Sequence, residues 1–310
     1  MSLTNFVRLP EVAERLKPFR PPVKAVTPRL LVPSTSGNPQ LVGTAFDYLL
    51  RFELQRRVPH AAAGEWIAEH VPRLIWDPGL QPGTWVGRDY LAGRGPGEYL
   101  PPQVLAARVA AVCRAARLSL EEYLRQSAPS DACCRELAGW AVRLAKLDGV
   151  YRRGEFDPTF DQVPAALTEE LVTLLGVVPF SLLTHPESLL LNPDFGEASR
   201  AVGGADADLL AGDLLVDVKT TRSAAVTGEA LDQLFGYFLL ARRAGLPPIR
   251  RVGVYFSRFA QLRSGQTSFW TDHPAFADTE RWFFERAREC FPAAVVNAVR
   301  PTAPSKWRTK

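Results

Sequence analysis

The sequence predicts an α/β protein on three observations. Residues 59–189 carry mainly helical periodicity, the texture changes to short β-type runs after Leu190, and Gly212-Asp213 joins two of those runs as a two-residue loop. The chain has 310 residues, 46% hydrophobic and 23% charged, which is enough for a substantial core in one or two bodies. No internal repeat points to a solenoid.

The elements follow in order. An amphipathic stretch over 6–16 leads into a Pro-rich passage over 18–39 that cannot continue a helix, so residues 1–42 read as an N-terminal arm or strap. A helix is predicted over 44–57 with Thr44 as its N-cap. Phe46, Leu49, Leu50 and Leu54 share its apolar stripe, and Glu53 falls inside that stripe. A carboxylate facing a core must be tied to a base such as Arg57 or bound to a cation, and both readings stay open.

Further helices are predicted over 103–117, 119–126, 130–147 and 167–175, interrupted by a Gly- and Pro-rich loop over 78–102. Beyond 190, strands are predicted over 196–202, 205–211, Leu214–Lys219, Arg251–Phe256 and 267–270. Helices are predicted over Gly228–Ala244 and 278–290. Antiparallel pairing at the start of this order and a crossover helix later make the sheet mixed.

Net charge is +4, which permits a polyanionic partner without demanding one. The tail over 296–310 is basic. No apolar run approaches the roughly 18 residues that span a bilayer, and Met1 to Lys24 lack a signal-peptide pattern. A cytoplasmic protein with no membrane partner is expected. Cys113, Cys133, Cys134 and Cys290 form no CxxC and have no histidine at zinc-ligand spacing, so free thiols are expected.

The chemistry concentrates at 205–219. Gly at the first loop position is the type II′ signature. If this loop sets the register, Ala211 pairs with Leu214, Leu209 with Val216, Asp208 with Asp217 and Asp206 with Lys219. Alternation then puts Asp206, Asp208, Asp217 and Lys219 on one face. Facing carboxylates about 5 Å apart at Cβ repel. A divalent cation relieves that and takes both as hard oxygen ligands, with Lys219 beside it to orient or deprotonate a water and stabilise charge building on a phosphate. The bland alternative is an exposed hairpin face on which Lys219 pairs with Asp206 and Asp208 is solvated. On the next helix Gln233 and Tyr237, four apart, share a face within an apolar stretch.

Asp208, then Asp217-Val218-Lys219, then Gln233-Leu234-Phe235-Gly236-Tyr237 resembles the PD-(D/E)XK nuclease superfamily, in particular its RecB-type and lambda-exonuclease-like branch. The resemblance implies a restriction-endonuclease-like core, a mixed sheet flanked by helices, formed by 43–58 and 190–295. A large all-helical insertion would occupy 59–189. It implies a Mg²⁺- or Mn²⁺-dependent deoxyribonuclease, in repair, recombination or phage defence, with DNA as partner. Asp208, Asp217 and the carbonyl of Val218 would be metal ligands, Lys219 the catalytic lysine, and Gln233 and Tyr237 would organise the site or contact DNA. Glu53 is the candidate for the acid from an early helix.

Asp206 competes with Asp208, which is preferred because it faces Asp217. Where this branch often carries Gly-Thr-x-x-His, Gly43-Thr44-Ala45-Phe46 is followed by Asp47. Either Asp47 joins the metal arrangement or that helix has no role. Some relatives hold an iron–sulfur cluster on four cysteines, but the spacing here is wrong for one. The competing function is an inactive nucleic-acid-binding or scaffolding protein that keeps the nuclease fold.

Overall fold

A mixed six-stranded sheet, with strands in sequence order, separates two layers of helices. The computed structural model describes residues 2–24, 26–76, 100–154 and 156–291. The basic tail over 296–310 lies outside these residues. So does the irregular loop predicted over 78–102, apart from its last three positions.

The strands are β1 (Ala62–Ala63), β2 (Leu189–Leu191), β3 (Leu209–Ala211), β4 (Leu214–Lys219), β5 (Arg251–Phe256) and β6 (Gln261–Gln266). The β1–β2 and β4–β5 pairs are parallel and the others antiparallel. Each parallel pair needs a long crossover. One crossover is the helix Gly228–Ala244 and the other is the whole helical block between β1 and β2. The block therefore covers one face of the sheet. Its helices are α4 (Val71–Ile75), α5 (Pro102–Leu124), α6 (Asp131–Arg153) and α7 (Ala165–Gly176), and they share a core with α3 (Pro39–Arg57) and with Leu209, Leu214 and Val216 of the sheet.

The opposite face buries Leu210, Leu215, Val252 and Val254 against α1 (Leu3–Val7), α2 (Pro10–Leu16), α8 (Glu197–Ala201), α9 (Gly228–Ala244), α10 (Ser268–Thr271) and α11 (Phe276–Cys290). Residues of β3 and β4 thus alternate between two dry layers, as period-2 strands buried on both faces must. The arm is part of this second layer. Leu3, Phe6 and Val7 are buried, and a Cβ on Gly236 of α9 would sit 2.8 Å from Leu3.

Several boundaries differ from expectation. The helix α3 begins at Pro39, and Asn38, not Thr44, caps it by accepting the N–H of Leu41. The two helices predicted over 103–126 are one. The strand predicted over 196–202 is the short helix α8, which buries Ala198 with the flanking Phe195 and Val202 at helical spacing. The strand predicted over 267–270 is the helix α10, and the strand beside β5 is the preceding polar segment β6.

The Val32–Ser36 end of the strap between α2 and α3 is pinned by a buried ion pair. Arg258, fully buried, meets Glu170 of α7 at 2.5 Å and donates to the carbonyls of Val32 and Pro33. The other oxygen of Glu170 accepts from the N–H and hydroxyl of Thr35 and the N–H of Ser36. No helix among the described residues is long and apolar enough to cross a membrane.

Candidate active site

The hairpin sets the register as its turn chemistry requires. Gly212 has φ 59° while Asp213 is not left-handed, which fits a type II′ turn, and Ala211 pairs with Leu214, Leu210 with Leu215 and Leu209 with Val216. The ladder stops there. Asp208 instead turns its Oδ2 to accept the N–H of Val218 at 2.5 Å, so a side chain takes over where the backbone pairing ends.

Neither the expected Asp208–Asp217 pairing nor the expected Asp206–Lys219 pairing forms. Asp206 bridges to Asp194 on the β2 side and its carboxylate meets Arg152 of α6 at 3.2 Å. Lys219 reaches back along its own strand to Asp217, with Nζ 3.1 Å from Oδ1 and 2.9 Å from Oδ2. It also donates to Oε1 of Gln233 at 3.0 Å. The exposed-face alternative is not what the structure holds, since Asp217 is buried and Lys219 turns to it and not to Asp206.

The helix α9 begins where Thr227 accepts the N–H of Ala230, and it presents Gln233 and Tyr237 to the sheet one turn apart. Nε2 of Gln233 donates to the Tyr237 hydroxyl at 2.8 Å. Both side chains are buried. Burial, then the charges of Asp217, Asp208 and Asp206, push the Tyr237 phenol well above its usual range and keep it neutral.

The early helix contributes differently from expectation. Glu53 is tied to neighbouring bases and a tyrosine. Its oxygens are held by Arg56 at 2.6 and 2.7 Å, Arg57 at 2.6 Å and the Tyr123 hydroxyl at 2.7 Å. Burial works against its charge, but the Arg56 and Tyr123 hydrogen bonds hold its carboxyl below the usual range. This is the tied-up alternative, with Arg56 and Tyr123 added to Arg57. Asp47, two turns earlier, does approach the site, and its charge is felt at Asp208. It is itself engaged by Arg51 at 2.7 Å.

The electrostatics mark a surplus of acid. Asp208 is pushed well above the carboxylate range by burial, then by the charges of Asp47 and Asp217. Burial likewise raises Asp217 against the pull of Lys219. For Lys219, burial opposes the charge but Asp217 wins, so its ammonium is held above the usual lysine range. The helical block adds Asp148, which accepts the Tyr48 hydroxyl at 2.7 Å and is pushed by burial up to about 6. Asp47, Asp148, Asp206, Asp208 and Asp217 thus face Arg51, Arg152 and Lys219.

Sequence reasoning singled out none of Arg51, Asp148 and Arg152. The helix was expected to end at 147. It runs to Arg153, where Gly154 adopts φ 76° as the left-handed stop, and that glycine was the available signal.

The donor chemistry fits a hard divalent cation. The site offers the buried carboxylate of Asp217 on β4 and, just before β3, the half-buried one of Asp208, whose proton affinity Asp217 raises, and Oδ2 of Asp217 makes no hydrogen bond although it touches the Lys219 ammonium. The set is small. Among the described residues no three His, Cys, Asp or Glu side chains gather closely enough to hold a metal ion between them. Two carboxylates and the Val218 carbonyl are the donors at hand. Neither models of known protein families, nor curated proteins, nor solved structures match this chain.

Proposed function

We propose that this chain is a metal-dependent nuclease that hydrolyses DNA phosphodiester bonds on a restriction-endonuclease-like core. The observation that carries the reading is the constellation at the end of β4, where the buried Asp217 raises the proton affinity of its neighbour Asp208 beside a lysine held by Gln233. Asp208, Asp217 and the Val218 carbonyl would hold Mg²⁺ or Mn²⁺. When bound, such an ion supplies a Lewis acid and lowers the pKa of water.

The protein's own groups do the rest. Lys219, held as an ammonium, places positive charge where a phosphate gathers negative charge, and it is not a base in this form. Gln233 fixes the lysine's direction through its Oε1 and is itself fixed by Tyr237 through its Nε2. Two dry helical layers exclude water from behind, which strengthens each of these interactions.

A binding protein that keeps this arrangement without cleaving is the second reading, favoured by the engagement of Asp47 with Arg51. Linear and circular DNA incubated with Mg²⁺, Mn²⁺ or EDTA separate the two. The proposal expects cleavage with metal that EDTA stops and that Asp217→Ala and Lys219→Ala abolish with the fold intact. Cleavage that persists in both variants, or none under any condition, contradicts it.

A further inference from the structure

The inference rests on the reading of the site as one that binds DNA, and it concerns the helical layer. Of the three cations facing the acid cluster, two are committed. Arg51 is only 11% exposed, pairs with Asp47 at 2.7 Å and stacks 4.5 Å over the Tyr48 ring. Lys219 is shared by Asp217 and Gln233.

Arg152 differs. Its side chain is 49% exposed, and its hold is divided between Asp206 at 3.2 Å through NH2 and Asp148 at 3.8 Å through Nε. Each is a single contact from a half-exposed side chain, and neither uses the guanidinium fork. A phosphodiester approaching five carboxylates also needs a cation at the rim to offset their repulsion.

We propose that Arg152 grips a phosphate of the bound DNA strand, exchanging its contact with Asp206 for a forked one to the phosphate oxygens. The helical layer then anchors the substrate that the sheet processes. Asp206, expected from the sequence as an accessory to the metal, is in this account the resting partner of the arginine. Arg152 lies in the last turn of α6, where Leu147 and Val150 pack in the block's core, so its backbone is fixed while its half-exposed head faces solvent.

The test is an anisotropy titration of fluorescein-labelled DNA, as single strand and as duplex, in Ca²⁺ over a range of salt. Arg152→Gln is expected to weaken binding of the preferred form about tenfold and to lower the slope of log affinity against log salt by about one. Arg152→Lys recovers part of the affinity, and Asp206→Asn, which frees the arginine, tightens binding.

Wild-type affinity and slope in a folded Arg152→Gln overturn the proposal, as does a wild type that binds neither form. Where Arg152→Gln fails to fold, unchanged binding in Asp206→Asn overturns it instead. A wild type that binds through Arg152 yet never cleaves contradicts the nuclease reading and supports this one.

Discussion

The Asp208 carboxylate accepts the N–H of Val218 at 2.5 Å, so the acid just before β3 satisfies the backbone of the strand that carries Asp217 and Lys219. The same group is pushed up by burial and by its acidic neighbours Asp47 and Asp217. A carboxyl whose folded value is raised contributes stability below the ordinary carboxylate range, and that contribution is lost as pH rises through the raised value. Metal-free Asp208→Asn keeps an acceptor for Val218 and loses the charge. It should melt above the wild type at pH 8, with the gap closing as the pH falls toward about 4. A gap that does not depend on pH would contradict the electrostatic account.

Gln233 positions Lys219, so Gln233→Leu should leave the fold in place and release the lysine. One hydrogen bond to a charged group is worth about 1.5–3 kcal/mol, so cleavage should fall by roughly tenfold to a hundredfold. Gln233→Glu, which keeps an acceptor facing the ammonium, should lose less. Single-turnover rates on linear DNA measure both.

Asp148 is pushed by burial up to about 6. The sign is the same as for Asp208: its contribution is full below the ordinary aspartate value and gone above about 6. Asp148→Asn, still able to accept from Tyr48, should therefore gain roughly 3 kcal/mol of stability over the wild type at pH 8 and little at pH 4. Urea denaturation at the two pH values reads the difference.

Glu170 holds Arg258 from α7 and the strap through Thr35 and Ser36. Removing one partner of a buried pair strands the other, so Glu170→Ala should cost about 3–5 kcal/mol in urea denaturation. Arg258 also donates to the carbonyl of Thr220, next to Lys219, so DNA cleavage should fall as well.

The parts of the fold fixed by local chemistry were legible in the sequence. The Gly212 turn fixes the register of β3 against β4, and the helix expected over Gly228–Ala244 is α9 to the residue. The edge strand β6 was missed because it faces solvent on one side and carries Gln, Arg, Ser and Gly, leaving no alternation to find. At 196–202 the spacing of Phe195, Ala198 and Val202 was helical, and the short run was read as a strand all the same.

In the site, Asp208, Asp217 and Lys219 were placed by the hairpin and Gln233 by the next helix. What could not be read was which partner each charge takes across the layers. The pair Arg152–Asp206 spans 54 residues, and Glu53 is claimed partly by Tyr123, 70 residues on. No local spacing encodes such contacts.

The central claim is that Asp208 and Asp217 are held together to seat a divalent cation. Titration calorimetry of Mg²⁺ and of Mn²⁺ into the metal-free protein at pH 8 tests it most directly. The account predicts saturable binding in the wild type that is lost in Asp208→Asn and in Asp217→Asn, both still folded. Absence of binding in the wild type, or equal binding in all three proteins, would contradict it.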